Sequence, residues 1–326
     1  MAIRLRDIAE KAGVSVTTVS HVLNGYTKSG IKQETSDRVK QIAKELGYRP
    51  NAIARSLKIQ RTHAVGFYTG YDFRDARDPF MGEIYTGIQH ACDELGLDFL
   101  IHGSVSGRDP NEIKMKLSDG KIDGVVVHAP PEDEVVRSLV EDGLPAIAIA
   151  DRQPTMPSIV ADDVQGMHLL IDYLWSRGHR RIAYLTSHVD LASINARCDT
   201  FRADMASRGG DATVESFPWG ELDNYFEAWR GNPNRPTAVC CWNDNSAYHM
   251  LKACKLHGID VPGDLAVVGF DGLLETRFPA RELVTAGVPW ETIASEAVKQ
   301  VLRRFHGEEV PPLTLFPVTL IPGDTA

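Results

Sequence analysis

The sequence predicts an α/β protein made of a small helical head and a larger body of two parallel-sheet lobes. Three observations carry this reading. Apolar residues recur at helical spacing three times between Leu5 and Leu46. From residue 63 onward, short continuous apolar runs alternate with amphipathic stretches, in two successive series. The charge is divided unevenly as well. Residues 1–62 hold 12 Lys/Arg against 5 Asp/Glu, a balance of +7, while the other 264 residues hold 23 against 39, a balance of −16. Such a division suits only the head to a polyanionic partner. The 326 residues are enough for two or three units with buried cores, and 43% apolar and 24% charged content is ordinary for a globular chain.

In the head, Leu5, Ile8, Ala9 and Ala12 form the apolar stripe of a first helix, which Gly13 interrupts. Ser15 is placed to cap a second helix by accepting a backbone N–H. That helix lies in VSVTTVSHVLN, Val14 to Asn24. Val19, Val22 and Leu23 turn inward and leave Val16, Thr17, Ser20, His21 and Asn24 outside, and Gly25 ends it. A loop with Lys28, Ser29 and Gly30 leads to a third helix carrying Val39, Ile42, Ala43 and Leu46, closed by Gly47 at C′. Helix, short turn with Gly, helix and supporting helix is the helix-turn-helix plan. The short, uncharged outer face of the second helix fits a role in a major groove. Small side chains there reach thymine methyls and base edges, while lysines belong on the flanks against phosphates. Val16, Thr17 and His21 are the base-contact candidates, with Asn24 beside them. A three-helix protein-binding domain is the blander reading, and the +7 balance speaks against it.

The next stretch, Tyr48 to Leu57, reads YRPNAIARSL. Pro50 stops the third helix and Asn51 can cap a new start. Only about six residues follow, against the roughly 12–15 that an isolated helix needs in water. This segment is expected to form only when something else stabilises it. Two copies packed through Ile53 and Ala54, with Leu57 wedged into a minor groove, would do so, since apolar wedges unstack a base step and bend the duplex.

In the body, HAVGFYT, LDFLIHG, DGVVVHA and AIAIAD read as strands separated by helices such as PFMGEIYTGIQHACDELG. A second series follows with SIVADD, IAYLTS, TVESF, AVCCWND and LAVVGFDG. Near-continuous apolar runs of this kind are buried parallel strands, and two βα series mean two lobes. Ligands of such sheets bind at the C-terminal strand ends. Polar residues collect there: Asp151 after AIAIA, Asn243 and Asp244 after AVCCW, Asp271 after AVVGF, and Arg197 early in the helix after IAYLTS. Trp219 follows TVESF and Trp290 follows TAGVP. A sugar needs donors and acceptors for its hydroxyls and a flat apolar surface for its C–H face, and this set supplies both. Alone, each strand-end Asp or Asn is as readily a turn former. Tyr71 and Phe73, in the loop after the first strand, are expected to line the first lobe's side of the same crevice.

LRDIAEKAGVSVTTVSHVLNG followed by ELGYRPNAIARSL resembles the head and hinge of the lactose-repressor/galactose-repressor (LacI/GalR) family of bacterial transcription regulators, and the likeness runs the length of the chain. It implies that Val16, Thr17 and His21 read bases and that Leu57 intercalates. DGVVV, RGHRRIAYL, the NDN stretch, VPGDLAVVGFD and the closing strands resemble the family's periplasmic-binding-protein-like core. There Arg197, Asn243 and Asp271 fall on frequent effector-contacting positions, and Asp151, Trp219 and Trp290 on positions that differ with ligand class. The family also implies three crossings between lobes. Residues 1–48 would be the DNA-binding head, 49–62 the hinge and 63–326 the effector-binding and dimerisation core. Lobe one would span about 63–160 and 291–317, lobe two about 161–290 and 318–326. Arg4 and Lys32 depart from the pattern, standing where the family has Thr or Ser caps on helices one and three.

The function this implies is a sequence-specific regulator, a repressor that binds a palindromic operator in double-stranded DNA as a homodimer under control of a sugar effector. The alternative is a sugar-processing enzyme with a fused DNA-binding head, using Asp151, Asp244 and Asp271 as acid and base. No phosphate loop, nucleophile elbow or metal-ligand cluster supports that alternative, and no cofactor or metal is expected. No apolar run is long enough to span a bilayer, MAIRLRDIAE has no signal-peptide apolar core, and five cysteines lack metal-ligand spacing. A cytoplasmic, membrane-free location is the expectation.

Overall fold

The structure is a computed structural model and describes residues 3–24, 30–48, 56, 61–71, 78–103, 109–186, 191–216, 222–273 and 281–326. The chain divides into two compact units, Met1–Thr62 and His63–Ala326.

In the first unit, α1 (Leu5–Ala12), α2 (Val16–Leu23) and α3 (Gln33–Glu45) share one small core. Ile8, Ala9, Ala12, Val19, Val22, Val39, Ile42 and Ala43 are buried in it, and Leu23 and Leu46 pack against it. These are the inward positions that the spacing predicts, because i, i+3, i+4 places side chains on one face. Ser15 caps α2, its oxygen accepting the Thr18 N–H at 3.0 Å. Gly13 and Gly47 end their helices with φ of 65° and 66°, a conformation that costs glycine little. At the two departures from the family pattern, neither Arg4 nor Lys32 makes a side-chain cap. Arg4 is compensated by Asp7, whose carboxylate accepts the Arg4 N–H at 2.7 Å. At Lys32 only the backbone carbonyl serves, accepting from Thr35 and Ser36 at 3.0 and 3.1 Å.

The second unit contains two six-stranded sheets. The first has the order β11-β5-β4-β3-β1-β2, built from β1 (Ala64–Thr69), β2 (Asp98–Gly103), β3 (Gly124–His128), β4 (Ala146–Ile149), β5 (Ser158–Ala161) and β11 (Leu313–Phe316), all parallel. The second has the order β12-β10-β9-β8-β6-β7, built from β6 (Arg181–Thr186), β7 (Asp211–Ser216), β8 (Ala238–Cys241), β9 (Ala266–Asp271), β10 (Val284–Gly287) and β12 (Thr319–Ile321). Only β12 runs antiparallel to its neighbour. The central strands are buried along their whole length, whereas β7, at an edge, is mostly exposed and correspondingly polar. The chain passes from one sheet to the other after β5, after β10 and after β11.

Both sheets have a switch point where strand order reverses, between β1 and β3 in the first and between β6 and β8 in the second. Crevices outside the strands' C-terminal ends form at such points. Several helices bear on them: α4 (Pro79–Leu95), α7 (Asp163–Ser176), α8 (Ala192–Ser207), α10 (Asp244–Leu256) and α11 (Trp290–Phe305), with α5 (Pro110–Leu117), α6 (Glu134–Glu141) and α9 (Leu222–Gly231) lying between other strands. The helices α4 and α11 pack closely because residue 87 is glycine: a Cβ there would strike the Glu291 carbonyl and approach the Ala294 methyl to 2.9 Å. All five cysteines are buried free thiols. No described helix is long and apolar enough to cross a membrane.

Candidate functional site

The head presents its candidate surface on α2. Val16 is 44% exposed, Thr17 and Asn24 are exposed and His21 is half-buried, while Val19 and Val22 on the opposite side hold the core. Asn24 closes the helix, its side-chain N–H donating to the Ser20 carbonyl at 2.7 Å. The face is shallow because nothing longer than His projects from its first two turns. Asn51, Ala54 and Leu57 lie outside the described residues.

The body's candidate residues gather at or just beyond the C-terminal strand ends of both sheets. Arg197, in the second turn of α8, is 4% exposed. It donates from Nε to Asp163 at 2.7 Å and from Nη1 to the Trp242 carbonyl at 2.7 Å, and its Nη1 lies 3.9 Å from Asp271. Its guanidinium is 3.6 Å from the centre of the Phe270 ring, a cation–π contact that fixes the plane of the fork. Gly166 makes this possible: a Cβ there would fall 2.5 Å from the Phe270 ring, so only glycine lets the first turn of α7 bring Asp163 this close.

Asp271 ends β9 with φ of 122°, a sparsely populated region for a residue with a Cβ. Ala150, immediately before Asp151, has φ of 68°. Both strand ends that present a candidate carboxylate are therefore held in strained turns. Burial raises the pKa of Asp271 well above the usual carboxylate range; Arg197 lowers it, while neighbouring Asp244 adds to the rise. Asp163 is raised for the same reason, against the pull of Arg197. Asp244 is pushed up to about 6, again by burial. Its two oxygens accept from the Thr285 hydroxyl at 2.5 Å and the Leu273 N–H at 2.7 Å, so it braces the turn behind Asp271. A carboxylate so committed to framework bonds is poorly placed for acid–base work. Asn243 caps α10 with its side-chain oxygen on the Ser246 N–H at 2.8 Å, which leaves its amide N–H2 as the part able to meet a ligand.

On the first sheet's side, Asp151 is buried after β4 and accepts the Ser193 N–H at the start of α8 at 3.0 Å. The Tyr71 hydroxyl donates to its other oxygen at 3.5 Å. Tyr71, Leu191 and Ile194 form a small buried cluster with Trp242 packed against it, so the first sheet's loop meets the second sheet's elements. Tyr71 also lies 4.6 Å from the His128 ring. His128 is buried and its pKa is pushed down to about 4 by desolvation, opposed by Asp151, so it is neutral at physiological pH. Trp290, the other aromatic candidate, opens α11. It is 3% exposed, with Phe80 set edge-to-face at 4.9 Å and Phe80 in turn 5.3 Å from His128. Trp219 and Phe73 lie outside the described residues. No group of three or more potential metal ligands occurs among the described residues.

The structure thus brings together Arg197, Asp271, Asn243, Asp151, Tyr71 and Trp290, and adds Asp163, His128, Phe80 and Phe270. His128 carried a signal, a polar residue ending an otherwise apolar strand. Asp163 carried a weaker one as the second Asp of SIVADD. Phe80 and Phe270 read only as core.

The site's parts have counterparts in known proteins. Residues 4–51 match the model of bacterial regulatory proteins of the lacI family, and residues 171–326 match the periplasmic binding protein-like domain. The HTH-type transcriptional regulator GalR of Escherichia coli is 29% identical, covering 97% of this chain and 94% of its own. The ribose operon repressor of Escherichia coli is 28% identical over 92% of each chain. The HTH-type transcriptional repressor PurR of Vibrio cholerae is 28% identical over 94% of this chain and 92% of its own. Among solved structures, the lac repressor dimer bound to operator and the anti-inducer ONPF superposes with a TM-score of 0.83 at 23% identity, covering 100% of this chain and 99% of that one. The complex of the transcriptional regulator CelR with cellobiose gives 0.73 at 24% identity, covering 99% and 100%. A lacI-type head, a binding-protein-like body and likeness along the whole length lead to one conclusion: this chain belongs to the LacI/GalR family of bacterial transcription regulators.

Proposed function

We propose that this protein is a sequence-specific transcription regulator, a repressor that binds a palindromic operator as a homodimer and is controlled by a sugar bound between the two lobes of its body. The observation that carries this reading is the coexistence of two surfaces. One is the shallow, exposed face of α2 on a head of charge +7. The other is a buried polar cluster at the C-terminal strand ends of both sheets, with Asp151 on one sheet accepting from Ser193 on the other's helix. The first suits a major groove; the second suits a ligand whose hydroxyls engage carboxylates, an amide and a guanidinium.

Val16, Thr17, His21 and Asn24 are proposed to read bases, with Asn51, Ala54 and Leu57 forming the hinge contact. Asp151, Arg197, Asn243, Asp271, Tyr71 and Trp290, together with Trp219 and Phe73, are proposed to hold the effector. The ligand acts on DNA affinity only through different affinities for two arrangements of the lobes. The relatives named GalR and ribose operon repressor, and the CelR complex with cellobiose, support a sugar. Selection of bound duplexes from a random pool with the full chain tests the DNA half. A palindromic consensus is expected, and an unstructured or single-half-site pool would overturn the dimeric operator. Titration of that complex with sugars then tests the effector half, by release or tightening of the bound duplex.

A further inference from the structure

The Trp290 indole N–H is buried and has no hydrogen-bond acceptor among the described residues. Buried polar groups are almost always paired, because an unpaired one forfeits its water without recompense. This one sits at the first residue of α11, where Phe80 covers one side edge-to-face and links it to His128 at the end of β3. The Phe80 ring that contacts it offers no acceptor, and no described residue relieves it. A phenylalanine would fill most of the same space with no unpaired donor and would suit the ligand-free protein better.

We propose that Trp290 is a hydrogen-bond donor to the effector, so that the first-sheet side of the site selects ligands presenting an oxygen acceptor to the indole N–H. This rests on the effector reading above and changes what Trp290 does there. It is a polar reader of the ligand in place of a flat stacking surface. The acceptor is a hydroxyl or ring oxygen of an uncharged sugar; neutral His128 and the Phe80 edge beside it add no charge. The unpaired donor is tolerated in the free state because the ligand completes it.

The test compares the full chain with its Trp290→Phe variant by thermal unfolding, alone and with D-galactose, D-ribose, D-glucose and cellobiose. Without sugar, the variant is expected to melt at the same temperature or higher. For the sugar that stabilises the wild type, its affinity should be about two- to thirteenfold weaker, the range for one lost hydrogen bond. The monodeoxy analogues of that sugar then identify the contact. The analogue lacking the paired oxygen should bind wild type as weakly as the parent sugar binds the variant, and should lose nothing further in the variant. A variant that melts lower without ligand would show that the indole already has a partner, and equal sugar affinity in both proteins would remove the donor role. If no sugar shifts the wild type, the sugar reading itself fails, a different outcome from either of these.

Discussion

Head and body solve recognition in opposite ways. On α2 the residues proposed to read bases do little for the fold: Val16 is 44% exposed, His21 is half-buried, and the core is held by Val19 and Val22 behind them. In the body the residues proposed to hold the effector are part of the fold: Arg197 is 4% exposed and ties Asp163, Asp271 and the Trp242 carbonyl together. A duplex presents a preformed surface that a bare helix can read. A small ligand must be enveloped, so its site is drawn from buried charges that brace one another. Substitutions should therefore separate cleanly: those on the outer face of α2 change affinity without stability, and those in the body's buried ion-pair network change both.

The sharpest way to break that contrast is Arg197→Ala. Removing one partner of a buried ion pair costs about 3–5 kcal/mol, because the carboxylates left behind are uncompensated. The body should melt markedly lower and lose its effector response, and a normal melting temperature would place Arg197 outside any essential network. Next comes salt. If the basic head is the contact surface, operator affinity should fall a hundredfold or more between about 50 and 200 mM salt through counterion release, with the body's stability little changed. A flat salt profile in a gel-shift series would move the contact elsewhere. Thr17→Ala comes third. It should weaken operator binding by on the order of 1 kcal/mol, within the range for one base contact, and leave unfolding of the head within about 0.5 kcal/mol of wild type.

Two smaller effects refine the body's side of the comparison. Buried neutral His128 has its pKa lowered from 6.5 to about 4, so the stability it allows is present above pH 6.5 and is lost as pH falls toward 4. Asp244 is raised from 3.8 to about 6, so its contribution runs the other way, present at low pH and lost as pH rises through 6. The two slopes oppose each other in one window. His128→Asn should therefore leave a body that gains stability on acidification from pH 6.5 to 4 relative to wild type, and unchanged pH profiles in calorimetry would deny His128 that part. Ala150→Gly should relieve the left-handed turn before Asp151 and raise the melting temperature slightly, equivalent to about 1 kcal/mol. A lower melting temperature would show that this turn stores no strain.

The helices of the head, the strands of the body and the positions where polar residues gather are all legible in the sequence, though SIVADD, read with the second series, forms β5 of the first sheet. Those features are local: helical spacing sorts Ile8 and Val19 inward and Val16 outward, and parallel strands such as GVVVH announce themselves by unbroken burial. Which partners each gathered residue meets depends on contacts far apart in the chain. Asp244 looked equivalent to Asp271 in sequence, yet it is spent on Thr285 and Leu273 while Asp271 faces Arg197. Trp290 packs against Phe80, more than two hundred residues earlier. Asp151 finds Ser193, and Arg197 finds Asp163, across a change of sheet. Such partners are chosen by the crossing of the chain between two sheets, and no periodicity within a short window records which residues a crossing will bring face to face.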